Sequence, residues 1–309
     1  MDKNMLRSRI EQIAALLQEK QFFFVFGAPK SGTTWLQTAL NAHPQIVCAG
    51  EGHFVDQLAV KLSRVFLEYF DQQGIVDRNV YEGKGHYRHK RNEDFDFLLS
   101  LTVLNAFSRL EQPPGTLFIG DKTPATVSYL RVIKRLFPEA KFLNIVRDGR
   151  DTLVSTFKHV ERVVRAKAEP MDVDEFLREK TRMYCERWVR SLEEADTFAQ
   201  QNPGALYTVR YEDLKADFTT AFSKVLGFLG AECADDMLAH CEAESSFKRL
   251  SGGREAGQED PNAFVRKGVV GDWQNNLAPE QLVVFYEVAG DWLRRLDYAV
   301  AEPASGRSR

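Results

Sequence analysis

The sequence predicts an α/β fold of three layers, a central parallel sheet flanked by helices, and three observations carry that prediction. Short apolar runs alternate with stretches of helical periodicity, and strands separated by helices imply right-handed crossovers into a parallel sheet covered on both faces. The first apolar run, Phe22–Phe26, stops at the tight Gly27–Gly32 loop, and a helical pattern begins at Thr33. The segments Gly27–Gly32, Gly120–Pro124 and Arg147–Asp151 each follow directly on a strand. They should therefore converge on the carboxyl edge, where such sheets bind ligands.

Taken in order, Leu6, Ile10, Ile13 and Leu17 stand at helical spacing and predict an amphipathic helix over residues 1–20. Strands are expected at Phe22–Phe26, Thr116–Ile119, Lys141–Val146 and Leu206–Val209. Helices are expected near Thr33–Asn41, Phe54–Tyr69, Phe95–Leu110, Thr126–Phe137 and Val173–Ala199. Tyr81–Asp94 and Ser251–Asn262 are polar, irregular loops, and residues 302–309 form a tail with few ordering contacts. With neither an internal repeat nor a Pro- or Ser-rich linker, residues 1–309 are expected to form one domain.

A formal net charge of −3 gives no general attraction to nucleic acid, so any anion site must be local. No run approaches the length of a membrane span, and the first helix lacks a signal peptide's apolar core. Cys48, Cys185, Cys233 and Cys241 show no metal spacing and are read as reduced thiols of a cytoplasmic protein.

The loop after the first strand nearly fits a Walker A pattern, with Gly27 and Gly32 correctly separated and Thr34 in the hydroxyl position. The fold is therefore P-loop-like. The lysine, however, is Lys30 inside the loop, and Thr33 stands where a nucleoside triphosphatase needs Lys. A phosphate is expected against the helix N-terminus, where unpaired N–H groups and the helix dipole attract an anion.

Four further segments fit the same pattern: Arg147 through Ser155, Arg210-Tyr-Glu-Asp-Leu214, Glu244-Ser-Ser-Phe247 and Arg266-Lys-Gly-Val-Val-Gly-Asp-Trp273. With the Pro29-Lys-Ser-Gly-Thr-Thr-Trp35 loop, they resemble the sulfotransferases that use 3′-phosphoadenosine 5′-phosphosulfate (PAPS) and release 3′,5′-ADP (PAP). The resemblance implies that Lys30, Ser31, Gly32, Thr33 and Thr34 hold the 5′-phosphate. It implies that Arg147, Ser155, Arg266, Lys267 and Gly268 hold the 3′-phosphate, where guanidinium forks suit the anion. Trp35 and Phe247 match the aromatics that stack on adenine, Tyr211 a residue beside the base, and Ser246 lies within the Phe247 segment. Taken singly, Trp35 and Phe247 read equally as core aromatics, and Arg147, Asp148, Arg150 and Asp151 as a surface ion-pair cluster.

In the phenol and steroid branch of that family a histidine base sits in a Lys-Thr-His string, and here the string is Asp121-Lys-Thr-Pro124. The segment His43 through Glu51 resembles instead the branch acting on protein tyrosines and glycans, which implies Glu51 as base. Lys30 and Lys122 then meet the sulfuryl group, and His53 is the next candidate, as base or as orienter of the acceptor. His86 and His89 are read as exposed, and Asp121 as a partner for Lys122. The expected activity is in-line transfer of a sulfuryl group to an acceptor hydroxyl on a sugar, lipid or secondary metabolite, with no metal required. A P-loop kinase or nucleoside triphosphatase and a non-catalytic nucleotide-binding protein are the rival readings. The family's dimer motif should follow Trp273, but Gln274, Ala278 and Pro279 stand there, which leaves a monomer or another dimer open.

Overall fold

The structure, a computed structural model, describes residues 2–84, 91–167 and 172–300. The chain begins with α1 (Lys3–Glu19), β1 (Gln21–Phe26), α2 (Thr33–Asn41) and β2 (Ile46–Gly50). A π-helical segment, Phe54–Ala59, leads into α3 (Val60–Val80), followed by α4 (Arg91–Phe107) and β3 (Phe118–Lys122). After a 3₁₀ turn at Pro124–Tyr129 come α5 (Leu130–Leu136), β4 (Lys141–Val146), α6 (Gly149–Lys167), α7 (Val173–Gln201) and β5 (Leu206–Arg210). The remainder is helical: α8 (Tyr211–Ala216), α9 (Phe218–Leu229), α10 (Asp235–Ser245), α11 (Phe247–Leu250), a 3₁₀ turn at Asp272–Asn275 and α12 (Pro279–Arg295).

The five strands form one sheet in the order β2-β3-β1-β4-β5, and every pairing is parallel. β1 lies at its centre and shows the period-two logic of a strand covered on both sides. Phe23 and Val25 face a core built with Leu36, Leu40, Phe222 and Leu226. Phe22, Phe24 and Phe26 face the opposite core, with Phe107, Phe137 and Phe142. A third cluster joins α6, α7 and α12 through Leu153, Phe157, Trp188 and Phe285.

Several boundaries differ from the sequence expectation, and each difference has a physical cause. β2 is absent from the sequence expectation; it is an edge strand that pairs, among the described residues, only with β3, through five residues including Cys48, Ala49 and Gly50. The strand expected at Thr116–Ile119 is displaced to Phe118–Lys122, so Gly120, Asp121 and Lys122 are strand rather than loop. Gly120 is admitted because β1 passes so close that only a residue without a side chain fits. The helix expected over Thr126–Phe137 divides into a 3₁₀ turn and α5, and that expected from Phe54 starts with a π turn and extends to Val80. The irregular segment is shorter than Tyr81–Asp94 because α4 already begins at Arg91; His86, His89 and the tail at 302–309 lie outside the described residues. On α1, Ile13 and Leu16 are buried, whereas Leu6, Ile10 and Leu17 of the expected face are 44%, 58% and 54% exposed. All four cysteines are free, and among the described residues no helix is long and apolar enough to cross a membrane.

A methyl group at Gly120 would meet the Phe23 ring at 2.5 Å and the Phe23 carbonyl at 2.6 Å, and Phe23 is its register partner on the central strand. Gly120→Ala should therefore lower the urea midpoint by the equivalent of about 1–3 kcal/mol, the cost of overpacking; an unchanged midpoint would contradict this account of the β1–β3 contact.

Candidate active site

The parallel register aligns the strand ends. Val25 lies beside Lys122 and Lys122 beside Gly50, so the loop after β1, the end of β3 and the segment after β2 meet at one edge. The loop after β1 turns through two left-handed residues, Lys30 at φ 70° and Gly32 at φ 103°. Gly32 is constrained twice, because a Cβ there would meet the Tyr211 ring at 2.7 Å. It is also the N-cap of α2 and supplies no side-chain cap, so the first-turn N–H groups keep their capacity for an outside acceptor. Ser31 is fully buried, and its Oγ has no hydrogen-bond partner among the described residues. Burial, then the Arg162 charge, lower the Lys30 pKa, while Glu51 opposes the shift.

A second cationic group lies around the loop before α12. Arg147 Nη2 donates to the Val269 carbonyl at 2.8 Å and to Asp151 at 3.3 Å, its guanidinium lies 4.4 Å from the Tyr211 ring centre, and its buried Nε has no partner among the described residues. Asp151 accepts the N–H groups of Gly271 at 2.8 Å and Trp273 at 3.0 Å, locking α6 to this loop. Arg266 and Lys267 both donate to Asp272, the lysine at 2.6 Å. Gly268, at φ 66°, packs so tightly on the Phe247 ring that a Cβ would collide with it.

The surface-cluster alternative for the Arg147 segment does not hold. Arg150 and Asp151 are each 2% exposed. Arg150 pairs with Asp148 at 2.7 Å, donates to the Ala299 carbonyl at 2.7 Å and lies 3.9 Å over the Trp273 ring. It is a structural tie to the segment that follows α12.

The third group centres on Glu51. Lys122, almost buried, donates to Glu51 Oε1 at 2.8 Å, and the Glu51 N–H returns a bond to the Lys122 carbonyl at 2.8 Å. His53 Nε2 lies 3.4 Å from Glu51 Oε2, while His53 Nδ1 is 2.7 Å from Asp56 Oδ2. Glu51 and His53 both have positive φ, 34° and 48°, a conformation that non-glycine residues hold only under surrounding constraint. That constraint includes Asp121, which accepts from the Gly52 N–H at 2.8 Å and the Thr123 hydroxyl at 2.6 Å.

The Lys122 hydrogen bond lowers the Glu51 pKa, and the Asp56 hydrogen bond raises that of His53. The two shifts favour the ionised form of each group, so the Glu51 carboxylate faces a positively charged Lys122 on one oxygen and His53 on the other. Among the described residues, no cluster of His, Cys, Asp and Glu is placed to hold a metal ion.

Of the other expected residues, Thr33 is buried and Thr34 half-buried in the first turn of α2, and Ser155 lies half-buried on α6. Trp35 is partly buried: its Nε1–H donates to the Ser245 carbonyl at 2.9 Å, and its ring meets Tyr211 edge-on at 5.1 Å. Ser246 caps α11 through the Arg249 N–H. Sequence reasoning missed Asp56, visible only as an acid three residues after His53, and Lys215, whose Nζ lies 5.7 Å from the Trp35 ring centre. It also missed Arg254 and Glu259 within the polar loop, where no pattern distinguishes them from solvated charge.

The description "Sulfotransferase family" matches residues 23–236. A "Putative protein-tyrosine sulfotransferase" of Caenorhabditis briggsae is 24% identical over 223 residues, 72% of this chain and 70% of that protein. "Protein-tyrosine sulfotransferase 1" of Homo sapiens is 31% identical over 143 residues, 45% of this chain but only 34% of the human protein. Among solved structures, mouse sulfotransferase SULT7A1 complexed with PAP superposes with a TM-score of 0.52 at 20% identity, covering 93% of this chain and 90% of that one. The sulfotransferase domain from the curacin biosynthetic pathway gives 0.52 at 17% identity, covering 91% and 99%. Both share the fold.

The Lys122–Glu51 bond stabilises the fold above the unfolded carboxylate value of about 4.3 and is lost as pH falls through the lower folded value. His53 is the reverse: its bond to Asp56 is complete below about 6.5 and is lost as pH rises through the raised folded value. Carbon-13 NMR of the Glu51 carboxyl should show Lys122→Met moving its midpoint up, and nitrogen-15 NMR should show Asp56→Asn moving that of His53 down. Midpoints indifferent to both changes would refute the pairings.

Proposed function

The chain belongs to the sulfotransferase family, and on that premise we propose that it transfers a sulfuryl group from PAPS to an acceptor hydroxyl with Glu51 as general base. The observation that carries this reading is the Glu51 carboxylate held at 2.8 Å by Lys122, at the edge where the Lys30 loop also ends. The fit to the donor rests on the residues themselves. A 5′-phosphate suits the uncapped start of α2 and the orphaned Ser31 hydroxyl. A 3′-phosphate suits Arg147, whose Nε lacks a partner, together with Arg266 and Lys267. Trp35 packs on Tyr211, Tyr211 lies against both Gly32 and Arg147, and Phe247 lies against Gly268; such aromatics suit a purine, an interaction worth about 1–3 kcal/mol per base.

The bound donor supplies the sulfuryl group and a phosphate leaving group. Lys30 and the α2 N–H groups would oppose charge gathering on the leaving phosphate, a role for preorganised donors. Lys122 orients Glu51 and would also oppose charge on the sulfuryl oxygens. Glu51 takes the acceptor proton, and His53, backed by Asp56, steadies the carboxylate's second oxygen.

Hydroxyls of a sugar, lipid or secondary metabolite are the acceptors expected from the sequence. A second reading, a protein tyrosine, is favoured by the names of the relatives and by Glu51 itself. A carboxylate lowered in pKa is a weak base, better matched to a phenol near pKa 10 than to an aliphatic alcohol.

Calorimetry should show 3′,5′-ADP binding without Mg²⁺ and ATP–Mg²⁺ binding weakly; the opposite order would favour a P-loop kinase. With labelled PAPS and a panel of tyrosine peptides and sugar alcohols, Glu51→Gln should cut kcat by about 10²–10⁴-fold while leaving 3′,5′-ADP affinity unchanged. Full turnover in that variant would remove Glu51 as the base.

A further inference from the structure

Residues 251–268 form a loop that reaches both ends of the cationic cleft, and it is organised around one guanidinium. Arg254 Nη1 donates to the carbonyls of Gln258 at 2.9 Å and Arg266 at 2.8 Å, and Nη2 to that of Val265 at 2.6 Å. The Gly257 N–H donates to the Lys267 carbonyl at 2.9 Å, and the Asp260 N–H to the Arg266 carbonyl at 3.1 Å. The outgoing and returning limbs are thereby tied together, and the tie carries Glu259 back over Arg266. Arg266 Nη1 donates to Glu259 Oε1 at 2.6 Å, and Lys267 Nζ lies 3.9 Å from Glu259 Oε2. At the other end of the loop, Phe264 lies 5.3 Å from Lys30 Nζ.

Two carboxylates thus serve the same two cations, and they differ in kind. The Asp272 side chain is 2% exposed and sits beneath the pair as a permanent counter-charge. The Glu259 side chain is 37% exposed and approaches from the loop. With Asp272 alone, Arg266 and Lys267 would retain one uncompensated positive charge; Glu259 cancels it. A terminal phosphate brings between one and two negative charges and three acceptor oxygens, so it can replace Glu259 at Arg266 with charge to spare.

We propose that Glu259 stands in for the 3′-phosphate, so that nucleotide binding and product release exchange one anion for another at Arg266. This rests on the assignment of Arg147, Arg266 and Lys267 to the 3′-phosphate. The exchange has two consequences. It lowers affinity for the correct nucleotide, which must first displace Glu259, and so promotes release of the product. It also makes the Glu259–Arg266 pair respond to the 3′-phosphate alone, because a nucleotide without one has nothing to put in Glu259's place and leaves the pair intact.

Isothermal titration of the full chain with 3′,5′-ADP and with 5′-AMP, wild type against Glu259→Gln, tests the exchange. The variant should bind 3′,5′-ADP about three- to fivefold more tightly, the range for losing a partly exposed competing ion pair, with the gain shrinking as KCl is raised. Its affinity for 5′-AMP should not change. Unchanged or weaker 3′,5′-ADP binding, or an equal gain for 5′-AMP, overturns the proposal. Failure of the sulfotransferase reading would look different: the wild-type chain itself would show no preference for 3′,5′-ADP over 5′-AMP, and the exchange would fall with it.

Discussion

The parallel register of β2, β3 and β1 is the constraint on which the rest of the structure depends. It sets Gly50, Lys122 and Val25 side by side, and so decides which side chains meet at the sheet's carboxyl edge. A slip of one residue would turn Lys122 to the opposite face and leave an ammonium in an apolar core with Glu51 out of reach. The close pass of Gly120 against Phe23 resists such a slip. Sheet packing and site chemistry are therefore one requirement, expressed through β3.

Charge at this edge is arranged in two tiers. Buried acids serve the architecture: Asp148 holds Arg150, Asp151 holds the Gly271 and Trp273 amides, and Asp272 holds Arg266 and Lys267. Each satisfies donors that would be expensive to bury alone. More exposed acids, Glu51 and Glu259, approach Lys122 and Arg266 from the solvent side. A chain of net charge −3 thus concentrates positive groups locally without a basic surface, as expected for a small anionic ligand rather than a polyanion.

Much of the fold was legible in the sequence because its central signals are local. β1 and β4 read as apolar runs, and the loop before α2 as a glycine-framed turn into a helix. β2 and the end of β3 were not legible, because Cys48, Ala49, Gly50, Gly120, Asp121 and Lys122 lack the branched and aromatic residues that mark strands. They are strand because the sheet supplies what propensity does not: Gly52 and Thr123 satisfy Asp121, and Glu51 satisfies Lys122. The buried face of α1 differs from its apolar stripe for a related reason. Helical spacing identifies an apolar stripe, but the neighbouring layer covers only Ile13 and Leu16 of this helix.

By itself the sequence determined the layered α/β class and the glycine-framed loop between β1 and α2, since strand–loop–helix patterns are written within a few neighbouring positions. Only the tertiary structure decided which residues face one another. Lys122 and Glu51 are 71 residues apart in the chain, Arg147 meets Val269 across 122, and Asp56 and Glu259 acquire meaning only from the histidine and arginine beside them. Electrostatic pairing falls off over a few ångströms, so the roles of these charges follow from distances that no linear spacing contains.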